Sequence, residues 1–124
     1  MSVAILRQGD YLIASIQSDL NDQEVLDLRQ RLSDLVGRHR ARGIVVDLAA
    51  LDVIDSFVAR ALRSIVQTTR LRGAETVIVG IRPDVAIAMV QFRVNLDDLR
   101  AALDLDEALE LLDRLTGKDV EDGR

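Results

Sequence analysis

The sequence predicts a single mixed α/β domain, and three observations carry that reading. Two short β-prone runs flank Gly9-Asp10 at the start, later apolar runs at 44–48 and 76–81 lack strand alternation, and segments with helical periodicity separate and follow them. The 124 residues, 48% of them hydrophobic, suffice for one core but not for two domains.

Taken in order, Val3 to Arg7 and Tyr11 to Gln17 form an opening β-hairpin across a two-residue turn with glycine first. Asn21 followed by Glu24 has the spacing of a capping box, and Val25, Leu28, Leu32, Leu35 and Val36 then trace the apolar stripe of a long helix that stops before Gly43. Ile44 to Leu48 is apolar without a break, as a strand covered on both faces requires. A second helix begins at Ser56, buries Val58, Leu62, Ile65 and Thr69 on one stripe, and stops at Gly73. Thr76 to Ile81 is the next strand. Pro83 suits the first turn of a third helix, with Val85, Ile87, Ala88 and Val90 as its apolar residues. Asp104 with Glu107 caps a last helix carrying Leu105, Ala108, Leu109, Leu112 and Leu115. The predicted order is β-β-α-β-α-β-α-α: a mixed sheet packed by about four helices.

Composition excludes several function classes. A net charge of −5 and 2% aromatic residues argue against a nucleic-acid binder, which needs cationic surface and stacking platforms. There is no cysteine for disulfides, thiolate chemistry or zinc ligation. The single histidine, His39, sits among Arg38, Arg40 and Arg42 at a helix end, where cations complement the dipole. Apolar runs fall short of the roughly 18 to 20 residues that span a bilayer, so the expected location is cytoplasmic without membrane contact. Residues 118–124 are polar and patternless, and are expected to form a disordered tail behind a domain at 1–117.

The chemistry concentrates at Asp52-Val53-Ile54-Asp55-Ser56, where a buried strand passes through a short loop into a helix. Ser56 stands at that helix N-terminus, near N–H groups without intrahelical partners and at the positive end of the dipole. The plain alternative is that Ser56 only caps the helix. Arg82-Pro83 opens the next helix after the next strand, so parallel strands bring Arg82 and Ser56 to one surface. Asp52 and Asp55 could orient the hydroxyl, but no histidine follows in a suitable position and the sole lysine is Lys118, so the chain is read as non-enzymatic. Neither a Walker loop nor a dinucleotide fingerprint is present, and no cofactor or metal is expected. A receiver domain would use Asp47 as phospho-acceptor. It also needs an acidic pair after its first strand and a late lysine, whereas this chain has Arg7-Gln8-Gly9-Asp10 and a hairpin; Asp47 is read instead as bonding N–H groups of the following loop.

The stretch Val46-Asp47-Leu48-Ala49-Ala50-Leu51-Asp52-Val53-Ile54-Asp55-Ser56 resembles the signature of STAS domains, the fold of bacterial anti-sigma factor antagonists. The opening hairpin, the long helix, Ala74 to Pro83 and Leu103 to Leu109 follow in family order, so the likeness covers about residues 3 to 116. Free-standing antagonists usually continue Asp-Ser with a second hydroxyl and Gly-Leu-Gly; here Phe57-Val58-Ala59-Arg60 follows. That departure, with Ser15-Ile16-Gln17 and Gly80-Ile81-Arg82-Pro83, is similar to the single-domain stressosome scaffold of the RsbS type. The resemblance implies Ser56 as phospho-acceptor and a sequestered serine kinase released by that phosphorylation. It also implies a serine phosphatase, and homo- and hetero-oligomers with sensor proteins carrying a C-terminal STAS domain. Asp52, Asp55, Arg60 and Arg82 are the candidate partner contacts. A free-standing antagonist of an anti-sigma kinase and a small-ligand or nucleotide module remain alternatives.

Overall fold

The computed structural model describes residues 3–94 and 99–117; the expected tail at 118–124 lies outside them. Gly9 adopts a left-handed φ of 58° and, with Asp10, turns β1 (Val3–Gln8) back onto β2 (Tyr11–Ile16), pairing Gln8 with Tyr11 and Val3 with Ile16. Helix α1 (Asp22–His39) starts at the predicted capping box, with the Asn21 side chain accepting from the Glu24 N–H and Glu24 answering the Asn21 N–H. It ends at Arg40, whose φ of 51° turns the chain out of the helix. Strand β3 (Gly43–Asp47), α2 (Ser56–Leu71), β4 (Glu75–Val79) and α3 (Pro83–Gln91) follow. A short β5 (Arg100–Ala102) and α4 (Leu105–Thr116) complete the order.

The sheet order is β1-β2-β3-β4-β5, with β1 antiparallel to β2 and all later pairs parallel. Parallel strands laid down in one direction by crossovers of one hand place every connecting helix on the same face. The core follows that rule. Val25, Leu28 and Leu32 of α1, Leu62 and Ile65 of α2 and Val85 and Met89 of α3 pack in one cluster with Leu12, Ala14, Ile44, Val46 and Ile78 of the sheet. The opposite face, with Tyr11, Ile13, Val45, Val77 and Val79, is covered by Ala108 and Leu112 of α4. Strand β3 is buried on both sides, which explains its unbroken apolar run.

Three expectations are corrected. Strand β5 is absent from the sequence reading, because Arg100-Ala101-Ala102 is short, partly exposed and held by pairing with Val77, Ile78 and Val79 rather than by its own β propensity. On α3, Ile87 and Val90 are exposed; Val85 and Met89, one turn apart, face the core instead. Leu105 stands at the exposed start of α4, outside the buried stripe of Ala108 and Leu112.

Candidate functional site

The loop from β3 to α2 is anchored at every third residue. Leu48, Leu51 and Ile54 are buried, so the intervening Asp52, Val53 and Asp55 turn outward. The Leu48 N–H bonds the Val79 carbonyl at 2.9 Å and the Leu51 N–H bonds the Leu48 carbonyl at 2.9 Å, tying the loop to β4 and to itself. Asp47 plays the role read from its position: its Oδ1 accepts from the Ala49 N–H at 2.9 Å.

The cap of α2 is Asp55, not Ser56. Its Oδ1 accepts from the Val58 N–H at 2.8 Å while its carbonyl accepts from the Ala59 N–H at 3.0 Å. Carboxylate capping leaves Ser56 at the first helical position, half-buried. There its own N–H and that of Phe57 have no intrahelical acceptor within geometric reach. The Ser56 hydroxyl makes one long contact, 3.5 Å from Nη2 of Arg60 on the next turn. The hydroxyl is therefore free of structural duty.

Arg82 also lies where the parallel strands place it, at the same end of the sheet. Its Nε donates to the Ala49 carbonyl at 2.9 Å and its Nη1 lies 3.4 Å from Asp52 Oδ1. Beside it Gly80, with φ of 73°, comes so close to the other loop that a Cβ would stand 2.9 Å from the Ala49 backbone nitrogen. The loops after β3 and β4 are thus one braced unit. A shallow depression of about 250 Å³ at their junction is lined by Asp52, Arg82, Pro83 and Asp84. A second, of about 130 Å³, is lined by Asp19, Leu20, Leu51, Val53, Asp55 and Val58. Sequence reasoning missed the apolar part of this surface: Val53 is 68% exposed and Phe57 37% exposed, flanking Ser56. Their signal was phase, since Phe57 falls off the Val58-Leu62-Ile65 stripe.

Among the described residues no cluster of three or more His, Asp or Glu is placed to hold a metal ion, and no helix is long and apolar enough to cross a membrane. His39 closes α1, with its Nδ1 3.2 Å from Nη1 of Arg7. A guanidinium can only donate, so this nitrogen is the acceptor.

A profile of the STAS domain matches residues 2–108. The chain superposes on a serine-to-glutamate form of RsbS from Moorella thermoacetica with a TM-score of 0.82 and 33% identity, covering 93% of this chain and 97% of that one. A chain of the stressosome, described as a signal integration and transduction hub, aligns with a TM-score of 0.75 and 30% identity over 90% of this chain and 97% of its own length. The RsbT co-antagonist protein RsbRA of Bacillus subtilis is 29% identical over 91 residues, 70% of this chain, and this chain spans 33% of the length of that relative. The anti-sigma factor antagonist SpoIIAA shares the fold, with a TM-score of 0.68 at 14% identity over 93% of this chain and 98% of that one. With the loop-braced serine, the strand order and the match over residues 2–108 in agreement, the chain belongs to the STAS domain family.

Proposed function

We propose that this chain is a non-enzymatic scaffold of a bacterial stressosome that holds a serine kinase through the Ser56 face and releases it when Ser56 is phosphorylated. One observation carries the reading: Asp55 caps α2, so the Ser56 hydroxyl is presented without a structural bond to lose. Similarity to RsbS over nearly the whole of both chains supports the scaffold role over a free-standing antagonist, for which the likeness to SpoIIAA supports the fold alone. The partners are a serine kinase, a serine phosphatase and larger sensor proteins carrying a STAS domain, in a cytoplasmic assembly. The RsbRA relative, about three times as long as the stretch it shares with this chain, is long enough to carry a further domain beside it.

Phosphate at Ser56 would add about −1.5 to −2 charge and three acceptor oxygens at a helix N-terminus. The dipole favours that charge by about 0.3 to 1 kcal/mol, so the fold tolerates it. A partner seated on Val53 and Phe57 beside Asp52 and Asp55 would instead meet added repulsion and a desolvation cost. Arg60, whose Nη2 lies 3.5 Å from the Ser56 hydroxyl, is placed to contact such a phosphate, and Arg82 acts by holding Asp52 and the loop in shape. The nucleotide-module alternative is disfavoured: the depression between the loops carries two carboxylates among its four lining residues, and the strand order never reverses from β2 to β5 to open a crevice.

Kinase capture tests the proposal. Ser56→Ala should keep the fold by circular dichroism and retain the kinase, whereas Ser56→Asp should weaken capture and enzymatic phosphorylation should weaken it further. Equal capture by all forms would reduce Ser56 to a bystander. ATP alone should leave the purified chain unmodified, and phosphate appearing at Ser56 under those conditions would refute the non-enzymatic assignment.

A further inference from the structure

Two arginines stand beside Ser56, and the structure leaves them in different states. Arg82 is committed twice, through the 2.9 Å bond from its Nε to the Ala49 carbonyl and the 3.4 Å approach of its Nη1 to Asp52 Oδ1. Arg60 is exposed, and among the described residues its one polar contact is the Ser56 hydroxyl, 3.5 Å from Nη2. A contact of that length is weak, so a full positive charge stands next to the serine without an anion. Helix geometry puts it there. Cα–Cβ bonds tilt toward the N-terminus, and a long side chain at the fifth position of α2 therefore lies over the first. The first turns of α1, α3 and α4 carry Asp22 and Glu24, Asp84, and Asp106 and Glu107, whereas the first turn of α2 carries no acid beyond its cap. An anion at position 56 with a cation at position 60 is the order of charges that a helix favours at this spacing.

We propose that Arg60 is the clamp of a phosphate on Ser56: its guanidinium closes on the phosphate oxygens, and the modification thereby withdraws from the surface the one uncommitted arginine beside the serine. The inference rests on the phosphorylation of Ser56 proposed above and gives that event a second effect. One reaction adds an anion and cancels a cation. The backbone need not move, because the phosphate oxygens extend beyond Oγ toward a guanidinium already 3.5 Å away, and side-chain rotation brings them to the roughly 2.7 to 2.9 Å of a charge-assisted bond. Arg82 does not compete, since reaching Ser56 would break both of its bonds and the brace they form. The clamp also defines the chemistry of a partner. A protein seated on exposed Val53 and Phe57 takes Arg60 out of water and has to offer it an acceptor, because an unpaired buried guanidinium is costly. The unmodified face therefore selects a partner carboxylate opposite Arg60, and the phosphate on Ser56 replaces that carboxylate from within the same helix.

The experiment installs phosphoserine at position 56 of the full chain by genetic code expansion, so no kinase is needed, and follows its second ionisation by phosphorus NMR. Three backgrounds are compared: wild type, Arg60→Gln and Arg60→Lys. Asp52, Asp55, Arg82 and the helix N-terminus are common to all three, so the differences report position 60 alone. An ordinary phosphoserine has its second ionisation near about 6. The titration midpoint should rise by at least about 0.5 from wild type to Arg60→Gln, and Arg60→Lys should restore most of that shift as a point charge. In the wild-type background the Arg60 Nε–H resonance should also move downfield when Ser56 carries phosphate. Arg60 is exposed, and circular dichroism checks that each variant folds. Equal midpoints in wild type and Arg60→Gln, or an Arg60 resonance indifferent to the phosphate, would overturn the proposal. Kinase capture is not read in this experiment, so the clamp can fail while the scaffold function stands, and a chain that no kinase modifies would refute that function without altering the measured clamp.

Discussion

The two ends of the parallel sheet are held together in opposite ways. At the Ser56 end the polar side chains bond backbone within or between adjacent loops: Asp47 to Ala49, Asp55 to Val58, Arg82 to the Ala49 carbonyl. At the other end they bridge elements far apart in the chain. The Tyr11 hydroxyl donates to Asp113 Oδ1 at 2.6 Å and lies 3.2 Å from Thr116 Oγ1, while Arg42 donates to the Thr116 carbonyl, binding α4 to the starts of β2 and β3. Gly43 completes that closure, since a Cβ there would stand 2.8 Å from Leu112 and 2.9 Å from Tyr11. Local bonds fix the shape of a surface while leaving it open; long-range bonds close a surface and hold the fold.

The strongest way to break the contrast is Gly80→Ala. It forces a Cβ against Ala49 backbone at a φ of 73°, so a loss of about 2 to 4 kcal/mol is expected from strain and overpacking, read as a lower urea midpoint. A neutral result would mean that the two loops are not one unit.

Tyr11→Phe probes the closed end. Removing a hydroxyl bonded to a carboxylate should cost about 1.5 kcal/mol near neutral pH. Burial, and then the hydrogen bond to Asp113, push the Tyr11 phenol up to about 12 from 10.0. The folded state therefore keeps a proton that the unfolded chain has released, and wild-type stability falls as pH rises from 10 through 12. Tyr11→Phe should lack this phenolic contribution to the decline, which denaturant titrations at alkaline pH will resolve.

Asp55→Ala should cost about 1 kcal/mol by removing the α2 cap, whereas Ser56→Ala should change stability by less than about 0.5 kcal/mol. Equal losses at the two positions would return the cap to Ser56. A smaller loss than at Asp55 is expected from Arg82→Ala, about 0.5 kcal/mol for an exposed ion pair and one hydrogen bond. Faster amide exchange across Ala49 to Ile54 should still reveal the lost brace.

Legibility in the sequence followed the same division. Capping at Asn21 and Asp104, the Gly9-Asp10 turn and the strand runs are local signals, and the structure places each where its residues indicate. That Ser56 and Arg82 share an end was also readable, because parallel strands dictate it. Which of two adjacent residues caps α2 was not, since Asp55 and Ser56 are both good caps and the boundary is settled by burial of Leu51 and Ile54. Strand β5 and the exposure of Ile87 depend on partners that exist only after folding. The link between Tyr11 and Asp113 spans 102 positions and has no local signature at all.

That link gives the molecule an optical reporter of its own. Tyr11 is the only tyrosine and there is no tryptophan, so the ultraviolet signal of tyrosine type comes from a single phenol on a known pair of partners. Its ionisation can be followed by absorbance without a label. Displacement of α4 on assembly or partner binding would free the hydroxyl and bring its titration back toward that of free tyrosine, making helix docking measurable at one wavelength.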